Sequence, residues 1–574
     1  MKNKQYLENI RKDFTPQFLI SLKTYDKNKF VKDLLAGLIV GIVALPLALA
    51  FGIASGVTPE QGIITAIIAG FIVSFLGGSR VQIGGPTGAF IVIVYGVVQT
   101  HGIKGLIIAT IIAGIILILM GVFKLGKMIK FIPYPIIVGF TSGIAVTIFT
   151  TQIADILGLN FGGEKVPGDF IGKWVMYFNH LDTINWWNTA VSIISLLVII
   201  STPRLIKKIP GSLVSIIIVT IGVYLLKTYA GIDSIDTIGD RFKINAALPD
   251  AEIPNIDMAA IGDLLPVAIT IAMLGAIESL LSATVADGVI GGEKHNSNTE
   301  LIAQGVANIV TPLFGGIPAT GAIARTMTNI NNGGRTPIAG VIHAIVLLLI
   351  LLLLMPLAQY IPMACLAGVL VIVSYNMSEW RTFKALMRNQ KSDVAVLLIT
   401  FFLTVIFDLT IAIEVGLLLA MVLFLKRINE VTHVSIFKDK LDLTDESEYT
   451  QDDEILTLPN GVEVYEIDGP FFFGIANKFE ESMRVIGDKS KIRIIRMRKV
   501  PFIDSTGLHN LEGLCQKSMN DQIQVILSGV RKEVHRMIEN SKIPTMIGEE
   551  NICDNINQAI SRSEEILGAS EKKV

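Results

Sequence analysis

The stretch Phe314–Arg325, Phe-Gly-Gly-Ile-Pro-Ala-Thr-Gly-Ala-Ile-Ala-Arg, lies deep in apolar sequence yet is rich in glycine, contains Pro318 and ends in an arginine. No continuous membrane helix is written this way. It reads as an extended lead-in followed by a short helix beginning near Gly321, at bilayer depth. Backbone N–H groups left free at such a helix start, with one guanidinium beside them, suit a small anion. The donors would be the amides of Ala322, Ile323 and Ala324, with Arg325 as the fixed positive charge. An arginine in the bilayer interior costs about 3 kcal/mol on insertion scales, so it must face a partner or a cavity. Pairing with a carboxylate such as Glu278, or snorkelling to the inner surface, would be a structural role instead.

Glu278 is the only acid between Asp263 and Asp287, on a strongly apolar stretch, and Ser282 follows one helical turn later. Their oxygens share a face. A buried carboxyl there can take up a proton or, ionised, hold Na⁺. Beside an anion site it would repel the substrate until a cation neutralised it, which is a direct route to anion–cation symport. A structural ion pair is the alternative.

The elements that position these groups repeat. Gly84-Gly85-Pro86-Thr87-Gly88-Ala89 resembles Gly316-Ile317-Pro318-Ala319-Thr320-Gly321-Ala322, and Asp33-Leu34-Leu35-Ala36 resembles Asp263-Leu264-Leu265-Pro266. The offsets are 318 − 86 = 232 and 263 − 33 = 230. Interrupted apolar segments at matching places in two halves point to a transporter substrate site. Thr87, Gly88 and Ala89 would open the short helix of the first half, their small side chains allowing close approach; tight helix packing is the rival use of such residues.

The 574 residues are 51% hydrophobic and 17% charged, with mean hydropathy +0.59, the composition of a multi-span membrane protein. Fourteen apolar segments are expected. The first seven lie near 34–52, 60–76, 86–98, 104–122, 130–151, 185–202 and 211–228. The second seven lie near 264–286, 298–314, 320–331, 336–358, 361–377, 392–410 and 411–426. The third and tenth are too short to span alone. Pro46 should break or kink the first.

Basic clusters test the count. Arg80, Lys124 with Lys127 and Lys130, Arg204 with Lys207 and Lys208, Lys294, Arg335, Arg381 with Lys384, and Lys426 with Arg427 all follow even-numbered segments. That places them, the basic segment 1–33 and the C-terminus on the cytoplasmic side of a cell (inner) membrane. The long loop 228–262 is acid-rich, as an outer loop can be. The first segment then runs outward and the eighth inward, so repeats at 34–228 and 263–427 are inverted, and two short helices bring positive dipole ends together near the midplane.

After Arg427 the pattern changes. An acidic linker at 442–454 leads to a soluble α/β domain over 440–565, with strands at Val462–Ile467, Ile492–Met497 and Gln524–Leu527 and helices around 476–485 and 507–519. In Asp504-Ser505-Thr506-Gly507, Ser505 stands at a helix start, where phosphorylation would add charge; an unmodified turn and cap is the plainer role.

Several stretches together resemble the SulP family of anion transporters carrying a C-terminal STAS domain. They are Asp33–Gly37 with Ala44–Ala50, Pro133–Pro135 with Gly139–Gly143, Ala276–Ser282, Pro318–Arg325, Val464–Gly474 and Asp504–Gly507. The resemblance runs through nearly the whole chain in order. It implies two inverted seven-segment repeats divided into core and gate domains, a homodimer and an elevator-type movement. It also implies an acid at the place of Glu278 and supports Arg325 as the anion's counter-charge. Many members carry Gln where this chain has Leu47 and Tyr where it has Phe51, so the pocket wall here is less polar and the identity of the anion is open.

The expected function is secondary active transport of a small inorganic or carboxylic anion. Sulfate comes first, with bicarbonate or a dicarboxylate next, coupled to H⁺ or Na⁺. An uncoupled chloride-type channel or exchanger, and a membrane-bound regulator signalling through the STAS domain, are the rivals. No nucleophile–base set, phosphate loop or metal-ligand spacing is present, which argues against an enzyme, and nothing points to nucleic acid. Cys365, Cys515 and Cys553 are scattered and imply neither disulfides nor a metal, and His295 and His343 stand alone.

Overall fold

A computed structural model describes residues 14–127, 133–164, 166–205, 210–247, 249–252, 260–292, 294–407, 409–437, 440–441, 456–473 and 490–571. The linker expected at 442–454, the helix expected at 476–485, Lys130, Lys207, Lys208 and the first thirteen residues lie outside them. The chain divides into two compact units, Met1–Ala420 and Met421–Val574.

The first unit is helical. In order come α1 (Gln17–Leu22), α2 (Lys27–Ala54), α3 (Pro59–Leu76), β1 (Gly84–Gly85), α4 (Phe90–Val122), α5 (Tyr134–Leu157), α6 (Phe170–Asn179), α7 (Trp186–Leu205) and α8 (Gly211–Ala230). Then follow α9 (Ala260–Ile290), α10 (Ser297–Leu313), β2 (Thr320–Gly321), α11 (Ile323–Asn331), α12 (Ile338–Leu353), α13 (Met363–Met377) and α14 (Lys391–Ile406), and α15 (Leu409–Val431) runs across the division after Ala420. Eight helices among the described residues are long and apolar enough to cross a membrane. In hydrocarbon every backbone group must be satisfied within its own segment, which is why such sequence folds as helix. Polar residues mark the ends: Asp26 caps α2 by accepting from the Lys29 amide at 2.8 Å, and Asn296 caps α10.

α4 contains the expected third and fourth segments, joined at Gly102, whose φ of 67° only glycine adopts freely. Pro46 does not break the segment: α2 runs across it as one helix, forfeiting one backbone bond to the Ile42 carbonyl.

The helices pack as two bundles. α2, α3 and α4 contact α9, α10, α11 and α12, while α5 contacts α13 and α14, and α7 contacts α8 and α13. Each bundle therefore draws equivalent segments from both repeats, the interleaving that an inverted pair produces. Glycines set the closest approach: a Cβ at Gly114 of α4 would lie 2.6 Å from the Gly305 carbonyl of α10. Between the two half-helices, β1 pairs antiparallel with β2, Gly84 opposite Gly321 and Gly85 opposite Thr320.

The second unit is α/β. β3 (His433–Phe437), β4 (Val462–Asp468), β5 (Ile492–Lys499), β6 (Gln524–Ser528) and β7 (Ile552–Cys553) form one sheet in chain order. β3 is antiparallel to β4, and the remaining pairs are parallel. α16 (Ser505–Asn520), α17 (Lys532–Glu539) and α18 (Ile556–Glu571) complete it. Strands β4 and β5 are buried along most of their length, as parallel strands covered on both faces must be.

Candidate functional site

The site is built on the β1–β2 ladder. Because Thr320 and Gly321 are paired with Gly85 and Gly84, they stay extended, and α11 starts at Ile323 rather than near Gly321. The Ala322 amide donates to the Ile83 carbonyl at 2.9 Å, so it is not a free donor, contrary to the sequence expectation. The amides of Ile323, Ala324 and Arg325 have no acceptor among the described residues. Neither do those of Thr87, Gly88 and Ala89, which lead into α4, while the Thr87 and Gly88 carbonyls accept from Phe90 and Ile91. Two sets of three free donors thus stand at two helix starts, where the partial positive charge of each helix adds to them. Gly88 and Ala89 are buried; Ile323 and Ala324 are exposed.

Arg325 is 2% exposed and pairs with no carboxylate within 4 Å among the described residues. Its Nη2 donates to the Pro86 carbonyl at 2.8 Å, and its Nη1 has no partner among the described residues. The guanidinium lies against Gly85, where a Cβ would collide with Nη1. Neither structural role considered from sequence, the ion pair with Glu278 or the reach to the surface, is what the side chain does. It braces the turn that presents Thr87 and keeps one face of its charge uncommitted.

Glu278 of α9 accepts from the Thr87 hydroxyl at 2.8 Å. Ser282, one turn on and buried, turns instead to Thr326, its hydroxyl 3.3 Å from Oγ1, which also accepts from the Ile83 amide at 3.1 Å. Glu278 and Ser282 therefore have separate partners. Opposite Gly88 the wall is apolar: a Cβ there would lie 2.8 Å from Met377 Sδ, 3.2 Å from Ile148 Cδ1 and 3.6 Å from Phe51 Cε1. Phe51, one of the two departures from the family pattern, is part of that wall.

A buried carboxylate on α10 escaped sequence reading. Glu300 of α10 is fully buried and accepts from the Gly78 and Ser79 amides at 2.8 and 3.1 Å and from Gln82 Nε2 at 2.7 Å. Gln82 Nε2 also donates to Ser279 Oγ at 2.7 Å. Further along α10, Asn308 exchanges bonds with Ala319 at 2.9 Å, and Thr320 Oγ1 donates to the Gly275 carbonyl at 2.9 Å. This polar network fixes the lead-ins to both half-helices inside apolar surroundings. The signal available beforehand was the spacing Glu300, Gln304, Asn308, one polar residue per turn on a single helix face.

Elsewhere, His295 bonds Asp287 at 2.7 Å, and among the described residues no group of three or more His, Cys, Asp or Glu side chains is placed to hold a metal. Ser505 is exposed at the first position of α16. The cap is Asp504, whose two carboxylate oxygens accept from the Gly507 amide at 2.7 Å and the Phe473 amide at 3.2 Å.

The sulfate permease family model matches residues 30–400, and the STAS domain model matches residues 455–559. The protein named "Putative sulfate transporter YvdB" of Bacillus subtilis (strain 168) is 40% identical over 534 residues, covering 93% of this chain and 97% of that one. The bicarbonate transporter BicA of Picosynechococcus is 31% identical, covering 89% and 90%. Among solved structures, the transmembrane domain of a cyanobacterial BicA matches with TM-score 0.60 and 31% identity, over 69% of this chain and 98% of that one. The murine Slc26a9 anion transporter matches with TM-score 0.84 and 17% identity, over 96% and 94%, a likeness of fold.

Proposed function

The chain belongs to the sulfate permease family, and on that premise we propose that it is a secondary transporter that carries a small anion across the membrane by alternating access. The single observation that carries the reading is the pair of helix starts tied by one two-residue ladder, each with three free amides, beside a guanidinium with an uncommitted nitrogen. Fixed N–H dipoles and one immobile charge replace an anion's hydration shell without reorganising.

Sulfate is the first substrate to test, since the Bacillus subtilis relative's name points to it, and bicarbonate follows from BicA. Glu278 would couple transport to H⁺ or Na⁺. With the anion bound close by, an empty carboxylate is repelled and a neutralised one is not, so cation and anion load together. In this reading the bundle of α2–α4 and α9–α12 moves against the other as an elevator, the chain acts as a homodimer, and both termini lie in the cytoplasm.

The test is uptake into proteoliposomes of labelled sulfate, bicarbonate, succinate and chloride, each with an inward H⁺ gradient, an inward Na⁺ gradient, or neither. Accumulation of one anion under one gradient identifies substrate and coupling ion. Flux indifferent to both gradients makes the protein an exchanger or channel, and binding without flux makes it a regulator.

A further inference from the structure

The segment that joins the two halves of the first unit is tied to both bundles. Its first part belongs with α5 and α13. The Met363 amide, which opens α13, donates to the Asp236 carbonyl at 2.9 Å. The Ile238 and Gly239 amides donate to the Ile361 and Gln359 carbonyls, each at 2.9 Å. In the four-residue helix Ile238–Arg241, Arg241 bridges Asp236 and Asp155 of α5 at 2.9 and 2.7 Å.

The second part belongs with α3 and α10. The Asn245 amide donates at 3.0 Å to the carboxylate of Glu60, which lies in the first turn of α3 and is 7% exposed. The Glu252 amide donates to the Leu313 carbonyl, at the end of α10, at 2.8 Å. Between the two sets of ties the chain is extended. Phe242, Ile244 and Ala246 pack on the apolar core while Lys243, Asn245 and Ala247 are exposed, the alternation of a strand. Phe242 shares the wall of a cavity of about 760 Å³ with Ala50 and Ala54 of α2 and Leu370 of α13, so the crossing lies where the bundles face each other.

The ties are unequal. Three backbone bonds and an ion pair hold the α13 end, whereas the tie to α3 is one bond to a side chain that can rotate away. Chain length makes that bond matter. At about 3.6 Å per residue, the backbone from Arg241 reaches about 14 Å to Asn245 but about 40 Å to Glu252, the next tie.

We propose that Arg241–Asn245 is a latch holding the bundle of α2–α4 and α9–α12 against the other, and that the Glu60–Asn245 bond is where it lets go when the bundles move. The proposal rests on the moving-bundle reading above and adds the contact that limits the movement. A displacement beyond the short tether breaks that bond first, and the longer stretch to Glu252 then keeps the bundles joined. A purely structural Glu60, an acid suited to the first turn of a helix, would affect the stability of α3 and not depend on movement.

The test uses full-length protein with Glu60→Cys and Asn245→Cys, joined in proteoliposomes by a short bifunctional methanethiosulfonate. Gradient-driven uptake of labelled sulfate, bicarbonate, succinate and chloride is measured before and after linking, and mass spectrometry gives the extent of the link. Cys365, Cys515 and Cys553 are buried, so the reagent acts at the introduced pair. Linking should cut initial uptake about tenfold, and reduction should restore it. The control is Gly239→Cys with Gln359→Cys, since a Cβ at Gly239 would lie 2.9 Å from Gln359 Cβ. A disulfide there ties the segment only to the lead-in of α13, and uptake should stay within about twofold of wild type. Full uptake with the 60–245 link complete overturns the latch while transport stands, and so does equal loss from both links. A second measurement needs no link: Glu60→Ala should speed labelling of Ala54→Cys by a soluble maleimide about threefold in detergent. Unchanged labelling also overturns the latch. A wild type that moves none of the four anions ends both readings.

Discussion

The Thr87 hydroxyl, on the lead-in to α4, donates to the Glu278 carboxylate of α9 at 2.8 Å across 191 positions of sequence. One bond thus joins a residue beside the free amides of the first repeat to the half-buried acid of the second. If Glu278 is the coupling group, cation loading is felt directly at the helix start that would hold the anion.

Glu278→Gln keeps the shape and removes the titratable, ionisable group. Gradient-driven accumulation should be abolished while anion exchange survives in part. Counterflow and gradient-driven uptake, measured on the same vesicles, check this, and equal accumulation in the variant would sink the coupling role.

Thr87→Val deletes the donor and leaves the carboxylate without its partner. A hydrogen bond to a charged group contributes about 1.5–3 kcal/mol. Transport affinity should fall roughly tenfold, as that energy implies, and Thr87→Ser, which keeps the hydroxyl, should recover most of it. Initial rates against anion concentration distinguish the two.

Arg325→Lys preserves charge but not geometry. A single ammonium cannot brace the Pro86 carbonyl and present a second planar N–H face at once. KM is expected to rise about tenfold or more, from the loss of a charged hydrogen bond of about 1.5–3 kcal/mol, with Arg325→Gln at least as impaired. An unchanged KM in both variants would remove Arg325 from the site.

Two glycines should respond in opposite ways. Gly85 has φ of 152° and its Cβ would run into the Arg325 guanidinium, so Gly85→Ala should lower thermal stability in detergent, by about 1–3 kcal/mol for the backbone alone. Gly88→Ala meets the flexible end of Met377 and should fold normally while raising KM, since the added methyl enters the space before the free amides. Melting temperature and uptake kinetics of the pair separate the two effects.

Asp504→Ala removes the cap of α16 and its tie to Phe473, a loss of about 1 kcal/mol for the cap. Hydrogen exchange on the full chain should quicken in the first turn of α16 and little elsewhere. Whether Ser505, exposed on that same turn, carries phosphate is read by mass spectrometry of protein from its native cells.

The positions of the spans were legible because hydrocarbon leaves the backbone a single local solution, so apolar runs and their polar ends mark helices directly. The repeat was legible too, in Pro86 and Pro318 and in the paired Asp33 and Asp263. Partners across the fold were not. That Thr320 and Gly321 stay extended depends on Gly84 and Gly85, more than two hundred residues away, and this moved the start of α11 and removed the Ala322 amide from the free donors. Pro46 sits in a helix that continues through it, because the turns on either side are held by their own bonds and by burial.

Composition, charge placement and local backbone chemistry are written along the chain, so the sequence by itself determined a membrane protein of two repeated halves with interrupted helices, followed by an α/β domain. Which polar group meets which was decided only by tertiary structure. Arg325 finds the carbonyl of Pro86 rather than the carboxylate of Glu278, Glu278 finds Thr87, and Glu300 is satisfied by Gly78, Ser79 and Gln82. In a low-dielectric interior each buried polar group must find a partner, and packing, not sequence distance, settles which one is within reach.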